Sequence, residues 1–417
     1  MVSYKRIQSI CIMYILVWMI APPLSYDTIW RLLAAGAALI WILLQMIRRK
    51  MYYRNQKLHN SSIFFGFSVI VNLGCLIFTD IFYLNFGIIS AIYNNITTII
   101  LFFAGFVSMY YVKEENYNDL ICFFRTSTIT AAIFSITSTF RSDKYHELTR
   151  AAGEYQTAAQ EALTREAAYH GVGAFGFFCL TSILAICALW MIFVSKEKKD
   201  KRINLITFII MEAGVISAGY TLALSISLIG IICCLFFNLK SPILKFEICI
   251  LGVICLLFGD ELLMLTYKTL SSLTAGGFYE NKVQDIFSFL LSGESTGSFD
   301  SRAERYLLSL NSLIKYPVWG SYILAGINAT GRHSSILDTF AAFGWLPGIC
   351  WVYAIGIYPS KLVLKCNTTR YYKVSIPFLM ILTGVFNSYA MTMGVLYFAL
   401  PSVMYYVVNR YEEKITV

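Results

Sequence analysis

The chain has 417 residues, of which 58% are hydrophobic and 14% charged, with a formal net charge of +9 and a mean hydropathy of +0.64. Soluble domains carry about 25% charged residues. This composition therefore argues against a water-soluble enzyme and for a chain that lives in a bilayer.

Runs of about 20 mostly apolar residues are long enough to cross a hydrocarbon core about 30 Å thick. They recur at 7–24, 28–47, 62–79, 84–111, 120–140, 173–195, 203–219, 221–237, 243–263, 335–358, 374–388 and 391–408. The expectation is an all-α polytopic membrane protein of about twelve transmembrane helices, a single membrane domain over 1–417. The first run follows Lys5 and Arg6 and leads into Pro22-Pro23 without a small-x-small cleavage site, so it reads as a span and not as a signal peptide.

Alternating the spans from a cytoplasmic N-terminus also leaves the C-terminus in the cytoplasm. It puts RRKMYYRNQK (48–57), KEENYND (113–119), KEKKDKR (196–202), NLKSP (238–242) and PSKLVLKCNTTRYYK (359–373) inside. The short external loops near 25, 81, 219 and 389 carry no Lys or Arg. That asymmetry is what cytoplasmic loops require. It accounts for the positive charge without nucleic acid as a partner. The eleven cysteines fall in the spans or, for Cys366, on the inside, with no CxxC pair, so a disulfide framework is not expected.

Two longer external segments stand out. In 141–171, residues Leu148, Ala151, Ala152, Tyr155, Ala159, Ala162 and Leu163 recur at helical spacing opposite Glu154, Gln160, Glu161 and Arg165. This reads as a weakly amphipathic helix from Tyr145 to Tyr169 across the external face, acting as a lid or packing element or as a substrate contact. The second segment, 260–334, is far longer than an ordinary connection of about 4 to 6 residues, and it is the expected external catalytic loop. Within SRAERYLLSLNSLIKYPVWG (301–320), Ser301 and Glu304 have the spacing of a capping box. Tyr306, Leu307, Leu308, Leu310 and Ile314 form an apolar face, Pro317 ends the helix, and Arg302 and Arg305 fall on its first turn.

A charge inside a span costs about 2.5 to 3.5 kcal/mol near the centre and calls for a partner or a function. Arg125, in CFFRTST, is open to both readings, whereas Arg31 is placed to snorkel to the outer interface. Arg302, Arg305 and Arg332 are external arginines, and guanidinium suits a diphosphate because it keeps its charge and offers paired hydrogen bonds. Each is also compatible with an ordinary solvated surface residue. His333 is of the residue type whose ordinary pKa lies near neutrality, and it suits a general base or an oriented hydrogen-bond partner. Ser334 and Ser335 after it are helix-start residues that would place it at the mouth of a membrane cavity, with Asp338 as a sugar or arginine partner or as the group that orients His333 or Arg332. Asp300 and Glu304 are further acidic candidates. No H-E-x-x-H, histidine cluster or Gly-rich GKS/GKT loop is present, so neither a metal site, another cofactor nor direct ATP-driven transport is expected.

The arginine helix ending YPVWG, followed by HSSILDTFAAFGWLPG, resembles the O-antigen ligase and polysaccharide polymerase superfamily, and within it the Wzy-type repeat-unit polymerases of O-antigen or capsule synthesis. The close motif likeness is confined to about 301–349. The resemblance implies a GT-C-like, inverting, metal-independent glycosyltransferase in the bacterial cytoplasmic (inner) membrane, with its active site on the outer face. Donor and acceptor would be glycans on undecaprenyl diphosphate, with a chain-length regulator and a flippase as protein partners beside the membrane lipid. Arg302 would match the family's diphosphate-holding arginine and His333 its essential histidine. A further family arginine follows a serine at the start of a span. Here Leu228 follows Ser227, so that contact is missing or comes from Arg125 or Arg305. A ligase that shares donor, loop and histidine, and a lipid-linked oligosaccharide flippase, are the competing expectations.

Overall fold

The computed structural model describes residues 4–25, 27–47, 56–114, 116–151, 158–195, 197–218, 220–238, 241–247, 298–324, 329–331, 334–361, 394–399 and 401–403, with isolated positions at 250, 268, 269, 272, 381, 384 and 385. Among the described residues the chain is helical and no strand occurs. In chain order the helices are α1 (Tyr4–Ile20), α2 (Pro22–Ser25), α3 (Thr28–Ile47), α4 (Gln56–Phe82), α5 (Ile88–Asn94), α6 (Ile96–Lys113), α7 (Tyr117–Ala151), α8 (Ala158–Tyr169), α9 (Phe175–Val194), α10 (Lys198–Ala218) and α11 (Thr221–Asn238). They continue as α12 (Ser298–Lys315), α13 (Ser321–Leu324), α14 (Ser335–Phe343), α15 (Trp345–Val352), a π-helical turn (Tyr353–Ile357) and α16 (Tyr358–Lys361).

Five of these helices are long and apolar enough to cross a membrane: Thr28–Ile47, Ser62–Phe82, Ile96–Lys113, Tyr117–Arg141 and Phe175–Val194. The described part of the protein is thus all-α, and it is compatible with a multi-pass membrane protein. The expected runs at 243–263 and 374–388 lie largely outside the described residues.

α9 is apolar on every side, and a helix of that kind belongs in the centre of a bundle. Its apolar window is 89% buried, against 22% for α3 and for the apolar part of α4, which face outward. Small residues let the helices close on one another. Gly214 of α10 sits against Ser135 of α7, and Gly230 of α11 against Ile186 of α9. A second aromatic layer joins α4, α6, residues 394–399, the π turn and the start of α16. Phe65 stacks on Tyr358 with centroids 3.8 Å apart, and Ser108 donates to the Tyr397 carbonyl at 2.5 Å.

The contacts fix the direction of each helix. Arg125–Asp200, Ser135–Gly214 and Thr139–Ser217 climb together, so α7 and α10 run parallel in direct contact, with α9 packed against both. Ser62 meets Met109 and Phe65 meets Phe106, so α4 and α6 are antiparallel. One end of the bundle, the basic end, gathers Lys5, Lys113 and Lys198–Arg202. The opposite, loop end gathers the α7–α9 connection and the α2–α3 turn, where the Tyr169 hydroxyl donates to Asp27 and Arg141 donates to the His170 carbonyl.

Four sequence expectations change. The run 84–111 is not one helix: Asn95 leaves helical geometry (φ −92°, ψ 4°), and its amide donates both to Asp80 and back to the Ala91 carbonyl, separating α5 from α6. The helix expected to start at Tyr145 begins as the uninterrupted continuation of α7 to Ala151, with α8 as a further helix. Ser301 is not an N-cap, because α12 already starts at Ser298. Arg302 and Arg305 therefore lie beyond the first turn. Finally, 335–358 is broken at Gly344, whose φ of +85° no ordinary residue adopts without strain.

Candidate functional site

The site is built on α12 and α14 at the loop end. α15 and the π turn run from Trp345 at that end to Tyr358, whose hydroxyl donates to Gly105 and Met109 near the basic end of α6. Thirteen residues of helix, at about 1.5 Å each, separate the two by roughly 20 Å.

The inward face of α12 carries Arg305, Ser309 and Ser312, which recur at intervals of four and three and so share one side of the helix. Ser309, almost wholly buried, is the junction. Its hydroxyl donates to Asp338 Oδ1 at 2.5 Å and accepts from the Gly331 amide at 2.8 Å. The other Asp338 oxygen, Oδ2, accepts the Ser334 amide at 2.7 Å. One carboxylate thus ties α12 to the start of α14 and, through Ser309, to the loop before it.

Ser334 caps α14 as the sequence suggests, accepting the Leu337 amide at 3.0 Å. Its hydroxyl and that of Ser335 donate to the Gly384 carbonyl at 3.3 and 3.0 Å, anchoring α14 to another part of the bundle. Ser312 donates to the Ala329 carbonyl, and Tyr322 shares a hydrogen bond with Thr330. Gly331 packs so closely on the Arg305 backbone that a Cβ there would collide with the Arg305 carbonyl. A glycine before Arg332 is therefore a steric requirement of this contact.

The expected site residues fall out as follows. Arg305 is half-buried on the turn of α12 that touches Gly331. Arg302 lies three residues earlier in the same helix, which by register puts it near that face, while its side chain lies outside the described residues. Arg332 and His333 also lie outside the described residues. Their described neighbours Gly331 and Ser334 are both buried and both hydrogen-bonded to the Ser309–Asp338 junction. Asp338 is half-buried, and both of its oxygens accept hydrogen bonds from the protein itself. Glu304 is exposed.

Arg125 belongs elsewhere. Its guanidinium pairs with Asp200 of α10 at 2.6 Å, and Asp200 is only 7% exposed. Thr139, fourteen residues further along α7, marks the loop end, so Arg125 lies about 20 Å away along the helix. Of the two readings left open by the sequence, the ion pair fits the structural one, and among the described residues Arg125 does not stand beside Arg305. Ser227 donates to Glu212 Oε2 at 2.5 Å, and Leu228 beside it is exposed. Arg31 stacks over Tyr93, with 5.8 Å from Cζ to the ring centroid.

Sequence reasoning missed Ser309 and Gly331. The available signal was a small polar residue inside the apolar run YLLSLNSLI, four residues after Arg305. Among the described residues no three His, Cys, Asp or Glu side chains gather to hold a metal ion. No protein-family model matches the chain, and no curated protein matches it either.

Proposed function

We propose that this chain is a polysaccharide polymerase of the bacterial cytoplasmic membrane. In this reading it joins undecaprenyl-diphosphate-linked repeat units of O-antigen or capsule on the outer face, with about twelve spans in a GT-C-like arrangement. The basic end then faces the cytoplasm and the loop end the outside. The observation that carries the reading is the Ser309–Asp338–Gly331 junction, which ties the arginine-bearing helix α12 to the loop that contains Arg332 and His333. Two sequence motifs that the family resemblance links chemically are thus also linked by hydrogen bonds.

The proposed reaction is a single displacement. A sugar hydroxyl of the acceptor attacks the anomeric carbon of the donor, the bond from that carbon to the diphosphate oxygen breaks with inversion, and undecaprenyl diphosphate leaves. His333 takes the hydroxyl proton, and Arg302, Arg305 and Arg332 stabilise the charge that develops on the diphosphate. Preorganised donors are effective in this role because they need no reorganisation as charge builds. Holding the hydroxyl in line is a second contribution.

The experiment is chain extension in membranes containing the full chain. His333→Ala is expected to abolish extension while the protein still inserts, and polymer of normal length would overturn the assignment. Arg302→Lys keeps the charge but loses the paired hydrogen-bond geometry, and is expected to lose most activity. Full activity in EDTA is expected, and a strict divalent-ion requirement would contradict the mechanism.

A further inference from the structure

α12 is amphipathic in the opposite sense to a helix of a water-soluble protein. A helix advances about 100° per residue. Arg305, Ser309 and Ser312 therefore fall together on the side that packs against α14, and Ser309 is 1% exposed. Directly opposite stand Leu307, Leu310 and Ile314, with Ile314 69% exposed. Between these two faces, on one flank, lie Glu304, Asn311 and Lys315, all exposed, with exposed Leu308 beside them. The helix thus has a small polar face toward the protein, an apolar face away from it and a charged flank.

The apolar face does not stop at the end of the helix. Beyond Pro317, Val318 and Trp319 are exposed, Trp319 at 66%. The Trp345 amide donates to the Pro317 carbonyl at 2.9 Å, and Gly344 packs on the Val318 carbonyl, so the start of α15 lies beside them. There Trp345 is 59% exposed, followed by exposed Leu346 and Ile349 on a segment that runs on into the bundle. The stripe is therefore continuous with the outward apolar surface of the helices. It carries two tryptophans at its margin, the residue type that concentrates where hydrocarbon meets headgroups.

We infer that α12 is an interfacial helix seated in the bilayer leaflet at the loop end, with Leu307, Leu310 and Ile314 among the acyl chains. Glu304, Asn311 and Lys315 face water, and Trp319 and Trp345 mark the headgroup level. A helix with one apolar and one charged face lies in the plane of the interface with the apolar side sunk below the headgroups. The arrangement fixes Arg305 at the depth where a lipid-borne anionic headgroup resides. It stands whatever reaction the site performs, so its test does not depend on glycan chemistry.

The test uses the full chain labelled with 5-fluorotryptophan in phospholipid nanodiscs. The Trp319 resonance is identified as the one lost in Trp319→Phe, and Ile314→Trp adds a second reporter on the helix itself. Both resonances are expected to broaden beyond detection with lipids bearing a nitroxide near the top of the acyl chain, and to persist with a water-soluble gadolinium chelate. Broadening by the chelate alone would place the face in water. Persistence under both probes would mean that another part of the chain or a second copy covers it. Either result overturns the inference.

Discussion

α9 and α12 are similar in length, 20 and 18 residues, but they are held by different means. α9 buries an apolar surface on every side between α7, α10 and α11, and its hydroxyls are satisfied within the bundle, Ser182 donating to the Phe178 and Ala223 carbonyls. α12 turns its apolar residues outward and docks through Ser309 and Ser312. The difference is instructive because in a bilayer apolar surface gains little by leaving lipid for protein. Burial there follows close packing and hydrogen-bond complementarity. α9 is a packing element, whereas α12 is a positioned element whose placement rests on a few polar contacts.

Substitutions can break that contrast, and the largest effect is expected in α9. Trp190→Ala removes a fully buried indole from the centre of the bundle and should cost about 3–5 kcal/mol. Thermal unfolding in detergent would register this as a large drop in midpoint, and an unchanged midpoint would show that α9 is not a packing centre.

Next comes Asp338→Ala, which strands the Ser309 hydroxyl and the Ser334 amide and should cost about 1–3 kcal/mol. Its diagnostic outcome is functional: chain extension falls far more than the unfolding midpoint, because the loop loses its tie to α12. Asp338→Asn, which keeps an acceptor, should recover part of the activity.

Arg125→Leu tests the opposite end. It removes the guanidinium that pairs with the nearly buried Asp200 carboxylate, with an expected cost of about 1–3 kcal/mol because the arginine is partly exposed. Extension per folded molecule should be unchanged, and adding Asp200→Asn should restore much of the stability. Loss of extension at normal stability would return Arg125 to the site. The smallest effect is expected at Ile314→Ala on the outward face of α12, within about 0.5 kcal/mol of the parent in the same unfolding assay.

Hydropathy made the long spans legible, since α3, α4, α7 and α9 follow apolar runs that nothing else explains. The helical reading of 301–315 also held, together with the Ser334 cap. What escaped was set by backbone geometry and by distant partners. The apolar run through FGWLPG gives no sign that Gly344 adopts a positive φ against the Val318 carbonyl. The capping-box spacing at Ser301 was genuine as a pattern, yet the helix begins three residues earlier. Asp200 lies among five basic residues of KEKKDKR, where it reads as one more loop charge, and only the parallel packing of α7 and α10 reveals it as the partner of Arg125. Ser309 reads as an interruption in an apolar stripe until Gly331 and Asp338 are seen on either side of it.

The most direct test of the central claim is mass spectrometry of lipid-linked glycans from cells with and without this protein. Single repeat units accumulating on undecaprenyl diphosphate in its absence are the predicted result. Finished polymer accumulating on the lipid would instead identify a ligase and contradict the chain-extension role.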